Sequence, residues 1–517
     1  MNSYNVLLLN AIILPLSMAM ILLVGRNLSL RTVRFLATTG FFFPALAALV
    51  LWSNFQPIDP SGYDYLCSFN TGLEGLGITL KLGLNGLSMP MIVLAGIVGC
   101  AAGSYALQSE ARPQRQYLML LLFMQSGSMG IFASVDVFFF YFFHELALIP
   151  TFICIGAWGG RDRHIAAMEV AIYLTLGAMI SLVGLLAICF QSGADSFDMI
   201  TLKRFLGSAP LDGEAQHIIF ALLLFGFGIL VSLFPFYSWA PRGYGAAPTS
   251  VAMLHAGVLK KFGLYGLLQV GLPLVPLGAL QWREEMCWLA LGSVVIIGMV
   301  TLAQRDLKQM IGYSSVMHMG YCFLGVACLS VLGAGGVVIL MVAHGLSVAL
   351  LFLLGHVVYR RTDTFNMEEM GGLVSRAPVL AALFSAAVLA SVALPGPGLL
   401  NFWGEFAIFL ALWDYHVPFV VMAALGLIIS AVYGLRAIAR IFFGPPSEAF
   451  ADYLKSNTVK DITTAEKLPA LVLLAALILT GFWPRLFTDE MNRTLEENFS
   501  PVIAVVSQAE EPDPDRE

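Results

Sequence analysis

About fourteen apolar blocks run through this chain, most of them close to the ~20 residues that a helix needs to cross a bilayer. Their spans are 5–25, 34–54, 84–107, 116–133, 136–157, 166–191, 217–239, 248–273, 286–304, 309–330, 333–358, 378–412, 417–443 and 467–488. With 58% hydrophobic and 12% charged side chains over 517 residues, the pattern predicts an all-α polytopic membrane protein and leaves no room for a large soluble domain. The block 5–25 lacks a basic leader and a small-residue cleavage site, so it reads as a retained first helix. The acidic end, from Glu510 to Glu517, reads as a solvated tail.

Lipid cannot solvate a charge, so ionisable residues inside such blocks are functional candidates by default. The aromatic run from Phe138 to Pro150 carries His144 and Glu145. Glu169, His255, Lys260, Lys261, His318, His344 and Glu405 occupy other blocks. A row of carboxylate, lysine and imidazole is what a proton relay requires, because each can bind and release a proton. The plainer alternatives are structural ion pairing for Glu145 and Lys261, and hydrogen-bonded packing for His318 and His344. Lys260, about 100° around the helix from Lys261, is expected to pack beside a neighbouring helix or bind a carbonyl. His144 is expected to face away from Glu145.

Soluble-enzyme chemistry finds no support. No phosphate-binding glycine loop, zinc-binding His-Glu-x-x-His or nucleophile elbow occurs. The seven cysteines lie mostly alone inside apolar runs, without cluster or disulfide spacing. No nucleic-acid partner is implied.

Two blocks contain helix breakers. Pro235 falls inside the seventh, and Pro395-Gly396-Pro397-Gly398 inside the twelfth. Breaks five helices apart point to two repeats of opposite topology, helices four to eight (114–275) and nine to thirteen (276–443). Helices one to three (1–113) and a last helix with its tail (444–517) would flank them. Ordinary kinks in unrelated helices are the alternative. Basic residues, among them Arg161, Arg163, Arg242, Arg305, Lys308, Arg360 and Arg361, gather on one side when alternate loops are paired. The positive-inside rule makes that side cytoplasmic and puts both termini on the other.

Several segments resemble the antiporter-like membrane subunits of complex I. These are His144-Glu145-Leu146-Ala147-Leu148-Ile149-Pro150 with Gly156-Ala157-Trp158-Gly159-Gly160, Val258-Leu259-Lys260-Lys261-Phe262-Gly263, Arg305-Asp306-Leu307-Lys308 through His318, Ala343-His344-Gly345, and Asn401-Phe402-Trp403-Gly404-Glu405. The acidic Glu405, where sister branches carry lysine, makes the resemblance strongest to the subunit M or chain 4 branch of NADH–quinone oxidoreductase. The resemblance implies a proton-translocating subunit of a bacterial inner-membrane complex, set among lipid and the neighbouring subunits L and N. It implies no cofactor in this chain, with FMN, iron–sulfur clusters and quinone in other subunits. Its implied path is Glu145, Lys261, His318, His344 and Glu405, with Glu169, Lys260, His255 and Arg242 as accessories.

Departures from that pattern are equally specific. The family lysine of the broken seventh helix should fall near Leu230, and no lysine occurs from Phe225 to Trp239. The family's Trp-Leu-Pro-Asp-Ala-His turn is Trp239-Ala240-Pro241-Arg242-Gly243-Tyr244, a lysine of helix six is Glu169, and Val-Asp-Gly-Leu-Ser is Leu84-Asn85-Gly86-Leu87-Ser88. Glu145 thus lacks its usual charge partner, which Arg242 or another base would have to replace. A degenerate structural spacer, or a subunit of a sodium/proton antiporter or membrane-bound hydrogenase, are the alternative functions.

Overall fold

The computed structural model describes residues 2–56, 61–394 and 399–510. Among them, twelve helical stretches are long and apolar enough to cross a membrane. In chain order the main helices are α1 (Ser3–Val24), α2 (Leu30–Ser53), α3 (Ser88–Ala106), α4 (Gln114–Ala133), α5 (Val137–Trp158), α6 (Arg163–Gln191), α7 (Met199–Ser208), α8 (Gly213–Val231) and α9 (Trp239–Ala246). They continue with α10 (Thr249–Leu274), α11 (Arg283–Ala303), α12 (Leu307–Ala327), α13 (Val331–Thr362), α14 (Pro378–Ser391), α15 (Leu400–Tyr415), α16 (Val417–Phe442), α17 (Glu448–Ser456), α18 (Thr464–Phe482) and α19 (Arg485–Glu510).

Helix starts follow capping chemistry, because the first backbone N–H groups need acceptors that lipid cannot supply. Ser29 caps α2, Asp306 caps α12 and Ser330 caps α13. Asp136 caps α5, accepting from Phe138 N at 2.9 Å and Phe139 N at 3.2 Å, while its other oxygen accepts from Thr79 N at 3.2 Å. Burial pushes the Asp136 carboxyl up to about 6 against the three backbone donors that favour its charged form.

Two helices form the axis of the bundle. The apolar windows of α10 and α13 are wholly buried, whereas those of α1, α16 and α18 are one-third buried and face outward. A helix apolar all round belongs either in a core or in lipid. The central axis is therefore made by position in the bundle, with little sequence contrast to mark it.

The break expected at Pro235 is present. α8 ends at Val231, Ser232 takes a left-handed φ of 67°, and α9 begins at Trp239. The twelfth block is two helices, α14 and α15, and the Pro-Gly-Pro-Gly stretch between them lies outside the described residues, as does the acidic tail beyond Glu510. The eighth block is less regular than expected. α10 tightens to a 3₁₀ turn at Leu259–Lys261 and widens to a π-helical stretch at Leu267–Gly271.

Elements beyond the expected spans include α9, α17 and a group on one side of the molecule. Asp64–Phe69 (β1) and Leu80–Leu84 (β2) form an antiparallel hairpin with Cys67 opposite Leu82. The short helix α7 and the long C-terminal α19 share that side of the molecule, tied by Lys203 Nζ to Asn498 Oδ1 at 2.7 Å. The block expected at 467–488 stops at Phe482, and α19 follows as a separate helix.

Candidate functional site

Four helices bring one buried row of ionisable groups together. Lys261 on α10, His344 on α13, His318 on α12 and Glu405 on α15 are each 3% exposed or less. Lys261 Nζ lies 3.0 Å from His344 Nδ1 and also donates to the Ala256 carbonyl. The His344 and His318 rings are 5.7 Å apart between centroids. His318 Nε2 lies 3.7 Å from Glu405 Oε1.

The local backbone explains how Lys261 reaches this row. Val258, at φ −124° and ψ −62°, leaves α geometry and is followed by the 3₁₀ turn that holds Lys260 and Lys261. Both lysines are buried, 1% and 0% exposed. An interruption of this kind often marks a functional position, since it frees backbone carbonyls and re-aims side chains. Close crossing does the rest. Gly257 and Gly345 face each other where α10 meets α13, and Gly404 packs on the Leu340 backbone where α15 meets α13. Small residues at such crossings let helix backbones approach in lipid.

Hydrogen bonding assigns the imidazole roles. His318 Nδ1 is 2.7 Å from the Ser314 carbonyl, which can only accept, so Nδ1 carries the proton and Nε2 faces Glu405. Among the described residues His318 Nε2 and Glu405 Oε1 are buried without a hydrogen-bond partner. Closing their 3.7 Å separation by about half an ångström would put them in range of one shared proton. His344 Nδ1 accepts from Lys261 as an ammonium and donates to it as an amine, so that contact survives proton transfer in either direction.

The remaining expected residues divide. Lys260 approaches the Ser315 hydroxyl at 3.4 Å and the Tyr244 ring centroid at 5.7 Å, so its partner is a hydroxyl and an aromatic face instead of a carbonyl. His255 Nδ1 is 3.1 Å from the Tyr244 hydroxyl. Glu169 accepts from Ser238 Oγ at 2.7 Å and pairs with Arg242 Nη1 at 3.1 Å. Arg242 therefore does not replace the missing partner of Glu145.

Glu145 stands apart from the row. Its side chain is 30% exposed, within a stripe of exposed Phe138, Phe142, Ile149 and Ile153 along α5. Among the described residues no lysine or arginine lies within ion-pair distance of it; His144 Nδ1, at 3.4 Å, is its basic neighbour. The expectation that His144 faces elsewhere is corrected, since rotation about its side-chain bonds brings the imidazole back toward Glu145. That ring stacks on Phe262 with centroids 3.9 Å apart. Leu230, at the family's lysine position, is buried and apolar.

Sequence reasoning passed over Asn401, whose Nδ2 donates to Ser347 Oγ at 3.3 Å while its buried Oδ1 has no partner among the described residues. An amide one turn before Glu405 was the available signal. Tyr244 and Ser315 were also missed, because hydroxyls are common in apolar helices. Among the described residues no group of three or more His, Cys, Asp or Glu is placed to hold a metal.

Residues 134–430 match the family described as NADH:quinone oxidoreductase/Mrp antiporter, TM, and that stretch contains every member of the row. The chain belongs to this family. It is 32% identical to NADH-quinone oxidoreductase subunit M of Rhodobacter capsulatus over 491 residues, 93% of both chains. It is 32% identical to NAD(P)H-quinone oxidoreductase chain 4 2 of Thermosynechococcus vestitus, over 87% of this chain and 83% of that one. In structure it matches a chain of respiratory complex I from Thermus thermophilus with a TM-score of 0.84 and 29% identity, covering 96% of this chain and 99% of that chain. A chain of the Mrp complex from Dietzia sp. shares the fold, with a TM-score of 0.83 at 18% identity and coverage of 98% and 99%.

Proposed function

We propose that this chain is a proton-translocating membrane-arm subunit of an NADH:quinone oxidoreductase. Protons pass along Lys261, His344, His318 and Glu405, driven by quinone chemistry in other subunits, which also hold the FMN and iron–sulfur clusters. The contiguous row from Lys261 to Glu405 carries this reading, because four proton-exchanging groups inside a water-poor bundle are costly to bury and have no simpler common purpose. Its relatives named subunit M and chain 4 support the assignment.

The exposed stripe around Glu145 supports contact with a neighbouring membrane subunit, of the L or N kind, through which the two row systems communicate. The cluster of basic loops supports a cytoplasmic face and external termini in the bacterial inner membrane. Helices four to eight and nine to thirteen serve as the two inverted units. Replacing Lys261 with alanine in the assembled complex is expected to lower proton translocation; an unchanged rate would overturn the reading.

A structural spacer is the second reading, favoured by the apolar Leu230 in place of lysine. Intact pumping in both Lys261→Ala and Glu145→Gln complexes, with disassembly of the arm when the chain is deleted, would select it.

A further inference from the structure

Three helix ends meet at one corner of the bundle. α1 stops at Val24, α5 stops at Trp158, and α4 starts at Gln114. Between them lies a cavity of about 400 Å³, with Arg112, Arg115 and Trp158 on its wall beside Leu23, Leu120 and Ile153. Leu120 and Ile153 stand five residues along their helices from Arg115 and Trp158. At 1.5 Å per residue that places them about 7 Å deeper into the membrane. The cavity is therefore charged at its mouth and apolar at its floor.

Charge at this corner is one-sided. Arg26, Arg31, Arg34, Arg112 and Arg115 fall in the two stretches 25–38 and 108–118, against Glu110 alone. Among the described residues none of these five arginines lies within ion-pair distance of a carboxylate. Arg115 Nη1 donates to the Leu22 and Leu23 carbonyls at the end of α1, and Arg34 Nε donates to Gln114 Oε1 at 3.2 Å. The other donors of Arg115, and all those on the Arg112 side chain, have no acceptor among the described residues. Trp158 Nε1 donates to the Arg112 carbonyl at 2.9 Å, which fixes the indole beside these cations.

The surroundings select the occupant. α1 faces outward, and Leu23 and Ile153 are 47% and 42% exposed, so the apolar floor opens toward hydrocarbon. A helix about 10 Å across fills roughly 400 Å³ in a single turn, so the cavity cannot seat a spanning segment along its length. Backbone in any other form would leave its polar groups unsatisfied in lipid. We propose that this groove holds an anionic phospholipid, with its phosphate between Arg112 and Arg115 and an acyl chain against Leu120 and Ile153. Guanidinium forks match phosphate oxygens in pairs. Basic pockets between spanning helices suit acidic head groups, and an indole suits the level of the head groups.

The test uses the complete complex in phosphatidylcholine vesicles that carry a trace of phosphatidylglycerol with a diazirine on its acyl chain. After irradiation, labelled peptides are read by mass spectrometry per assembled complex. Label is expected on the segments bearing Leu23, Leu120 and Ile153. Arg112→Gln removes one exposed cation and is expected to lower that label on the order of 5-fold, the scale for one cation beside an anionic head group. Ala157 lines the same cavity. Ala157→Phe fills the groove while both arginines stay, and is expected to lower the label as well, which general attraction of lipid to a basic surface would not produce. Equal labelling by phosphatidylcholine carrying the same diazirine would overturn the lipid site. Wild-type labelling in both Arg112→Gln and Ala157→Phe, loss of label on adding inorganic phosphate alone, or label on a neighbouring subunit in place of these segments would each overturn it too.

Discussion

Lys261 Nζ and His344 Nδ1 stand 3.0 Å apart where two helices with wholly buried apolar windows cross at a pair of glycines. That contact depends on backbone approach as much as on the two side chains. A methyl group at Gly345 would lie 2.5 Å from the Gly257 carbonyl oxygen, and backbone cannot move aside cheaply. Gly345→Ala is therefore expected to push α10 from α13, cost about 1–3 kcal/mol of stability through overpacking, and slow proton translocation although every ionisable group remains. Thermal unfolding and a translocation assay on the same preparation check both effects.

His318 acts between two neighbours, so its replacement separates packing from proton exchange. Glutamine keeps a donor for the Ser314 carbonyl but cannot take up and release a proton. His318→Gln is expected to leave assembly intact and to reduce translocation on the order of 10²-fold. Native-gel quantification of the complex, beside proton uptake, gives the comparison.

Glu145 has no lysine or arginine within ion-pair distance among the described residues, and its side chain is 30% exposed. Glu145→Gln should then change the stability of this chain by only about 0.5 kcal/mol or less. Coupling to a neighbouring subunit should suffer instead. Thermal midpoint and translocation, measured together, distinguish the two.

A buried ion pair lies away from the row. Arg361 grips Glu466 through two hydrogen bonds of 2.8 and 2.6 Å, Arg360 adds one of 3.0 Å, and Glu466 is 1% exposed. Glu466→Ala strands a buried guanidinium and is expected to cost about 3–5 kcal/mol. A fall in thermal midpoint without a specific loss in translocation per surviving complex is the expected result.

Much of the fold was legible because lipid imposes one rule on every spanning helix. Blocks of apolar sequence placed most helices to within a few residues, and Pro235 marked the break after α8. Lys261, His318, His344 and Glu405 stood out as polar groups in apolar runs. Which side of each helix faces inward was not legible, since lipid and core ask for the same residues. The 3₁₀ turn at Lys260 and Lys261 has no proline or glycine pair to announce it and follows from packing around α13. Helix α19 could have been found. Phe487, Met491, Leu495, Phe499 and Val502 recur at helical spacing and are buried, but the segment's overall polarity masks an amphipathic helix among apolar blocks. The fate of Glu145 depended on long-range geometry. Arg242 proved to belong to Glu169, and His144 turned back toward the carboxylate.

Protons are expected to leave through the far end of the row. Glu405→Gln preserves the size and polarity of a side chain 3% exposed, and removes the carboxyl that faces His318 Nε2. Proton translocation per assembled complex, followed in sealed vesicles during NADH oxidation, is expected to fall on the order of 10²-fold. Translocation at the wild-type rate in that complex would contradict the path from Lys261 to Glu405.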